Sequence, residues 1–307
     1  MGKAHPAPSS VFLALPGNET MASALARRLS AGLGALEVGH FPDGESHVRL
    51  GCDVAGRTVL LVCTLDRPDS KLAPLVFAAD AARDLGAARV GLVSPYLAYM
   101  RQDTRFRPGE AVTSRSFARM LSASFDWLVT VDPHLHRYGS LDALYELSAV
   151  AVHAAPALST WVRDHVEHPL IIGPDNESAQ WASAVAKGAG APHVVLEKVR
   201  RGDRDVEVSV PDIERWRDRV PVLIDDIIST ASTMVEAVRH LHAAGLPPPV
   251  CVGVHAVFAA NALEALEEAG IGEVVTANTI AHPTNRIDLS DLLAERLREW
   301  IGKEPSI

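Results

Sequence analysis

The chain has 307 residues, 48% of them hydrophobic and 22% charged, with a net charge of −9. That composition suits a globular domain in water, and the acidic balance argues against nucleic acid or an anionic membrane surface as partner, since both need a basic face. The length is too great for one comfortable core and suits two domains.

Three widely spaced cysteines, Cys52, Cys63 and Cys251, form no C-x-x-C pair. They indicate neither a zinc site nor a disulfide framework and fit a reducing compartment. The opening MGKAHPAPSS carries no apolar stretch of signal-peptide length, and no apolar run reaches membrane-spanning length. A cytoplasmic location is the expectation.

Along the chain, apolar runs alternate with helical patterns. VFLAL precedes ETMASALARRLSAG; RTVLLVCTL precedes KLAPLVFAADAARDLG; RVGLVSP precedes SRSFARMLSA; WLVTVD closes this half. The second half repeats the rhythm: PLIIG with ESAQWASAVAKGAG, VVLEK, VPVLID with TASTMVEAVRHLHAAG, VCVGVHAVF with ALEALEEAG, and VVTANTI. Strands alternating with helices predict an α/β fold with mostly parallel sheets. LPGNETMASALARRL and GPDNESAQWASAVAKG also match in the order of their features, as do RTVLLVCTLDRPDS and RVPVLIDDIISTAS. An offset of about 160 residues is too long for a solenoid and implies a duplicated domain. Domains of 1–145 and 146–307 are expected, joined near Gly139–Ala149.

Five loops carry candidate chemistry. In VLIDDIISTASTM, the strand is expected to end at Asp225 and Asp226, where open α/β sheets place ligands. Ser229, Thr230, Ala231, Ser232 and Thr233 then lead into a helix, where exposed N–H groups and hydroxyls can cradle a phosphate. Carboxylates beside a phosphate site suit vicinal hydroxyls, a metal ion or developing positive charge, and a sugar phosphate satisfies both halves; a plain helix cap is the simpler reading. No Walker or dinucleotide glycine motif is present. HFPDGESHVRL places Asp43, Gly44 and Glu45 in a turn between alternating segments, which predicts a hairpin. RQDTRFRPGE and the residues after it gather Arg101, Arg105, Arg107 and Arg115 with Gln102 and Asp103, suiting a polyphosphate or simply a solvated surface loop. In WLVTVDPHLHR, strand alternation would set Asp132, His134 and His136 on one face. A metal-dependent hydrolase ranks low there, because its further ligands are missing, and a structural histidine pair is the plainer reading. Lys198, Arg200, Arg201 and Arg204 form a basic loop between two strands, able to close over phosphates or to serve as a charged hairpin tip.

Taken together, FPDGE, RQDTRFRPGE, VDPH, GPD, EKVRR, IDDIISTAST and TANTI resemble, in order and over about Val11 to Leu297, the ribose-phosphate pyrophosphokinase family. The resemblance implies two phosphoribosyltransferase-like domains and synthesis of phosphoribosyl pyrophosphate from ATP and ribose 5-phosphate. It implies that Phe41, Asp43, Gly44 and Glu45 serve an ATP site on a neighbouring subunit, and hence a homo-oligomer, a dimer or higher, with a hexamer among the options. Arg101, Gln102, Asp103 and His134 would bind ATP, and His134 and Asp175 would serve Mg2+. Lys198 and Arg200 would be catalytic. Arg200, Asp225, Asp226 and Ser229 through Thr233 would bind ribose 5-phosphate. The chain departs from the family pattern at Pro133, Thr104 and Ser232, which leaves the regulatory class open. A transferase that consumes phosphoribosyl pyrophosphate would leave FPDGE and RQD unexplained; a non-catalytic regulatory homologue would be expected to have lost Lys198, Arg200, His134 or Asp175.

Overall fold

Runs rich in Val, Leu and Ile form the strands, and Ala-rich stretches with apolar residues three and four apart form the helices between them. The structure, a computed structural model, describes residues 9–135, 137–175, 178–200, 206–209 and 213–301. The chain divides into two compact units. One runs to Val152 and resumes at Ser290; the other spans His153–Leu289.

The first unit contains β1 (Ser10–Ala14), α1 (Glu19–Arg28), β2 (Gly32–Gly34), β3 (Leu36–His40), β4 (Ser46–Leu50), β5 (Thr58–Val62), α2 (Asp69–Asp84), β6 (Arg89–Ser94), α3 (Thr113–Ser124), β7 (Trp127–Val131) and β8 (Ser148–Val152). Six strands form an all-parallel sheet in the order β2-β1-β5-β6-β7-β8. β3 and β4 pair antiparallel as a separate hairpin. All five residues of β5 and of β7 are buried, as a sheet covered on both faces demands. Met21, Ala22, Leu25 and Ala26 make the buried face of α1, and Phe117, Ala118 and Leu121 that of α3.

The second unit contains α4 (Ala155–His165), β9 (Pro169–Gly173), α5 (Ala179–Ala189), β10 (His193–Val195), β11 (Glu197–Arg200), β12 (Val206–Ser209), β13 (Val220–Ile228), α6 (Ser232–Ala243), β14 (Val250–Ala256), α7 (Ala262–Glu268), β15 (Glu273–Ala277) and β16 (Asn285–Ile287). Its parallel sheet runs β10-β9-β13-β14-β15-β16, and β11 and β12 form an antiparallel hairpin. The two sheets therefore share one strand order, each with a hairpin following its edge strand. β5 and β13, aligned from sequence, hold equivalent places. The FPDGE hairpin and the basic hairpin are equivalent too, a correspondence their sequences conceal.

The domain limits differ from expectation. The join falls after β8, the edge strand of the first sheet, rather than within Gly139–Ala149, and α8 (Ser290–Ile301) returns to the first unit. Leu293, Ala294 and Leu297 form its buried face. Gly91 on β6 lies directly beside Trp127 on β7, and a Cβ at Gly91 would stand 2.0 Å from the indole. The missing side chain lets the Trp127 ring lie across the strand and stack on Trp300, centroids 5.5 Å apart. Arg28 in the last turn of α1 pairs with Asp291 in the first turn of α8. Each charge sits at the helix end that favours it.

Candidate active site

The second unit builds an anion cradle at the carboxyl edge of its sheet. β13 leads into Ser229 and Thr230, Ala231 takes φ +57°, and α6 begins at Ser232. The Ala231 carbonyl accepts the first helical bond, from Val235 N–H at 2.8 Å. The opening N–H groups of a helix have no intrahelical acceptor, and no side chain caps α6. Those donors, with the exposed Thr230 and Ser232 hydroxyls 3.1 Å apart, present a positive, hydrogen-bonding concavity. Ala259 N–H donates to Ser229 O at 3.0 Å and ties the loop after β14 to the cradle. The left-handed position is Ala231, while Ser232 is an ordinary helical residue whose Cβ meets no backbone restriction.

The strand does not stop before the aspartates. β13 pairs with β9 only as far as Leu223 opposite Ile172, but with β14 as far as Ile228 opposite Ala256. Asp225 and Asp226 thus lie within a strand, in the stretch where it outlasts one neighbour. Past Leu223 the β9 side of β13 has no paired strand, and Asp175, two residues beyond the end of β9, is close enough there to act on Asp225. Asp225 Oδ1 accepts Asp226 N–H at 3.0 Å. Asp175 Oδ1 accepts Ser178 N–H at 3.1 Å, and Ser178 Oγ donates back to Asp175 O at 2.7 Å, so Asp175 is fixed by the entry to α5. Gly173 leaves room there, since a Cβ would approach Ser178 Oγ to 2.8 Å and force it to shift. Burial, then the charges of Asp226 and Asp175, push the Asp225 carboxyl well above the ordinary carboxylate range. Such crowding of negative charge is relieved by a cation or by hydroxyl donors. Among the described residues no three His, Cys, Asp or Glu side chains are gathered as a ready metal cage.

Lys198 and Arg200 lie on β11 itself, opposite Val208 and Val206, rather than in a loop. Arg201 and Arg204 lie outside the described residues.

In the first unit, the loops after β6 and β7 meet. The Asp103 carboxylate, 6% exposed, pairs with Arg137 at 3.2 Å. Gln102 Nε2 donates to Thr104 O and to Glu110 Oε2, both at 3.4 Å. Asp103 is thus turned inward, and both residues brace the segment; Arg101, Arg105 and Arg107 are exposed along it. β7 ends at Val131, and the buried Asp132 already has φ +33°. Strand alternation therefore does not govern Asp132 and His134, contrary to expectation, and His136 lies outside the described residues. His134 and Asp175 belong to different units. The FPDGE turn closes as expected: Phe41 N–H donates to Glu45 O at 2.8 Å, Gly44 takes φ +91°, and Asp43 Oδ1 accepts Glu45 N–H at 3.1 Å. Phe41 is 53% exposed, its ring 5.2 Å from that of His47.

Glu110, Arg137 and Ser178 are site-shaping residues that the sequence did not single out. Only Glu110 had a local signal, the Pro-Gly turn before it.

Residues 10–124 match the N-terminal domain of ribose phosphate pyrophosphokinase, and residues 140–289 match a phosphoribosyl transferase domain. A ribose-phosphate pyrophosphokinase of Methanopyrus kandleri is 35% identical over 295 residues, covering 95% of this chain and 100% of its own. The chain belongs to the ribose-phosphate pyrophosphokinase family. Another member, from Saccharolobus solfataricus, is 34% identical over 259 residues, covering 83% of this chain and 88% of its own. The fold agrees with the crystal structure of phosphoribosylpyrophosphate synthetase from Mycobacterium smegmatis, with a TM-score of 0.82 at 24% identity over 95% of this chain and 98% of that one. The expected α/β fold of two phosphoribosyltransferase-like domains is thereby borne out. The family's transferase region ends at Leu289, where the second unit also ends.

Proposed function

We propose that this chain is a ribose-phosphate diphosphokinase. The C1 hydroxyl of ribose 5-phosphate attacks the β-phosphorus of ATP; the new O–P bond forms as the bond to the α,β-bridging oxygen breaks, and AMP leaves with that oxygen. The hydroxyl proton passes to solvent. The observation that carries this reading is the cradle from Ser229 to Thr233 beside Asp225 and Asp226, in a chain of this family.

The 5-phosphate is held by the α6 N–H groups and the hydroxyls of Ser229, Thr230, Ser232 and Thr233. Asp225 and Asp226 accept hydrogen bonds from the ribose 2- and 3-hydroxyls, which fixes the sugar and leaves C1 free. Arg101 meets the triphosphate; Gln102 and Asp103 hold that loop in shape. Lys198 and Arg200 neutralise charge gathering on the transferring oxygens, the main requirement of phosphoryl transfer. The carboxylate oxygens of Asp175 suit a hard cation, and the crowding of negative charge at Asp225 supports one nearby; His134 is assigned to Mg2+ by the family resemblance alone. Mg2+, when bound, would lower the charge of the polyphosphate and orient it. Phe41, Asp43, Gly44 and Glu45 act on the nucleotide of a neighbouring subunit, so the working form is a homo-oligomer. Among the described residues no helix is long and apolar enough to cross a membrane.

Purified protein incubated with ATP, ribose 5-phosphate and Mg2+ should release AMP one-for-one with phosphoribosyl pyrophosphate. Pyrophosphate release from added phosphoribosyl pyrophosphate and a base would instead indicate a consuming transferase.

A further inference from the structure

The loop after β6 closes on a carboxylate. Pro108 and Gly109 make a turn in which Gly109 takes φ +87° and Glu110 N–H donates to Arg107 O at 3.3 Å. Proline followed by glycine suits such a reversal, because the second of the two positions needs a positive φ. The turn carries the Glu110 side chain back over the residues before it. Oε2 accepts the N–H groups of Phe106 and Arg107, each at 2.9 Å, and Gln102 Nε2 at 3.4 Å. The Glu110 carbonyl accepts Arg105 Nε at 3.0 Å. One half-buried residue thus gathers donors from Gln102, Arg105, Phe106 and Arg107.

An acidic side chain amid three arginines would ordinarily oppose an anionic ligand. Here one carboxylate oxygen is engaged by two backbone N–H groups, which offsets part of that repulsion. Hydrogen bonds to an ionised carboxylate are among the stronger ones, and a loop ordered in advance loses less entropy when its ligand binds.

We propose that Glu110 is a positioning residue for the nucleotide polyphosphate: through Gln102 and the Phe106 and Arg107 N–H groups its side chain fixes the backbone of residues 102–107, which presents Arg105 and Arg107 beside Arg101 before ATP arrives. This rests on the reading of residues 101–110 as an ATP-binding loop. No proton or bond is exchanged by Glu110.

The test uses the full chain with Glu110→Ala, Glu110→Gln and Arg101→Ala, steady-state kinetics in both substrates, and hydrogen exchange at named amides. Glu110→Ala should raise KM for ATP about tenfold, the equivalent of losing one charged hydrogen bond. It should leave kcat and KM for ribose 5-phosphate within about twofold, and the Phe106 and Arg107 amides should exchange faster. Glu110→Gln, whose amide oxygen still accepts, should lie between wild type and Glu110→Ala on both readouts. If Arg101→Ala raises KM for ATP and Glu110→Ala does not, the proposal is overturned. If Arg101→Ala leaves KM for ATP unchanged, the assignment of this loop to ATP fails instead. Unchanged exchange at Phe106 and Arg107 in both Glu110 variants would overturn the loop-closing role whatever the kinetics.

Discussion

At the scale of single residues, the proposed chemistry rests mostly on Lys198, the Ser229–Thr233 cradle and the Asp175–Asp225–Asp226 group. Lys198→Ala should lower kcat by roughly a hundredfold or more through lost charge stabilisation, with an unchanged circular-dichroism spectrum; near-normal turnover would remove Lys198 from the mechanism. Ser232→Gly should raise KM for ribose 5-phosphate about tenfold through loss of one hydroxyl bond to the phosphate, and Ala231→Val should also raise it about tenfold or more by forcing a β-branched residue to φ +57°. Asp225 carries a further expectation. Its carboxyl binds a proton more tightly in the folded state than in the unfolded chain, because of burial and the neighbouring Asp226 and Asp175. Stability from this group is therefore fully present below the ordinary carboxylate range and is lost as pH rises toward the raised value. Thermal melts in a chelator should show Tm falling over that window, with a smaller fall for Asp225→Asn and in the presence of Mg2+. The hydroxyls and paired carboxylates were legible because their residue types announce their chemistry. The exact strained position was not, because φ at Ala231 follows from how β13 must turn into α6. Glu110 was not legible either, since its value lies in what the Pro-Gly turn folds it onto.

At the scale of elements, the strands that carry the site were legible and the edges were not. β5, β7, β9, most of β14 and β13 up to Ile224 are mainly apolar runs, which a buried parallel strand requires. β2 and β16 have three residues each, too few to show a period, and β8 begins inside the stretch expected to join the domains. The VVLEK run was one strand in prospect; it is two, β10 and β11, with the buried Leu196 between them. The hairpin at FPDGE was predictable because an Asp-Gly turn acts locally. The course of β13 past β9 was not, because it is a property of register between distant segments. The docking of α8 likewise depends on Gly91, Trp127 and Trp300 meeting. Trp300→Ala should cost about 1–3 kcal/mol, less than a fully buried tryptophan because this one is partly exposed. Gly91→Ala should cost a comparable amount, since its Cβ collides with the Trp127 ring. Both would be read by denaturant unfolding; an unchanged midpoint for either variant would mean that α8 is held by its leucine face alone.

At the scale of the whole molecule, one sheet plan occurs twice and only the second copy keeps the cradle. In the first copy the segment equivalent to the cradle is closed from within: Lys71 Nζ donates to Thr64 O at 2.9 Å and pairs with Asp66, while Asn18 Oδ1 accepts Thr64 N–H at 2.7 Å. The first unit instead carries the arginine loop and the exposed Phe41 hairpin. If Phe41 serves a neighbouring subunit, two inactive variants should rescue each other: mixing Phe41→Ala with Lys198→Ala after dissociation and reassembly should regain activity, approaching a quarter of wild type for random pairing in a dimer. No regain would place Phe41 in the site of its own chain or in none. The central claim, synthesis of phosphoribosyl pyrophosphate, is tested most directly by quantifying AMP and phosphoribosyl pyrophosphate together from ATP, ribose 5-phosphate and Mg2+. Equal amounts of the two, dependent on ribose 5-phosphate and abolished by Lys198→Ala, are the predicted result; folded protein that binds ATP but forms neither would contradict the account.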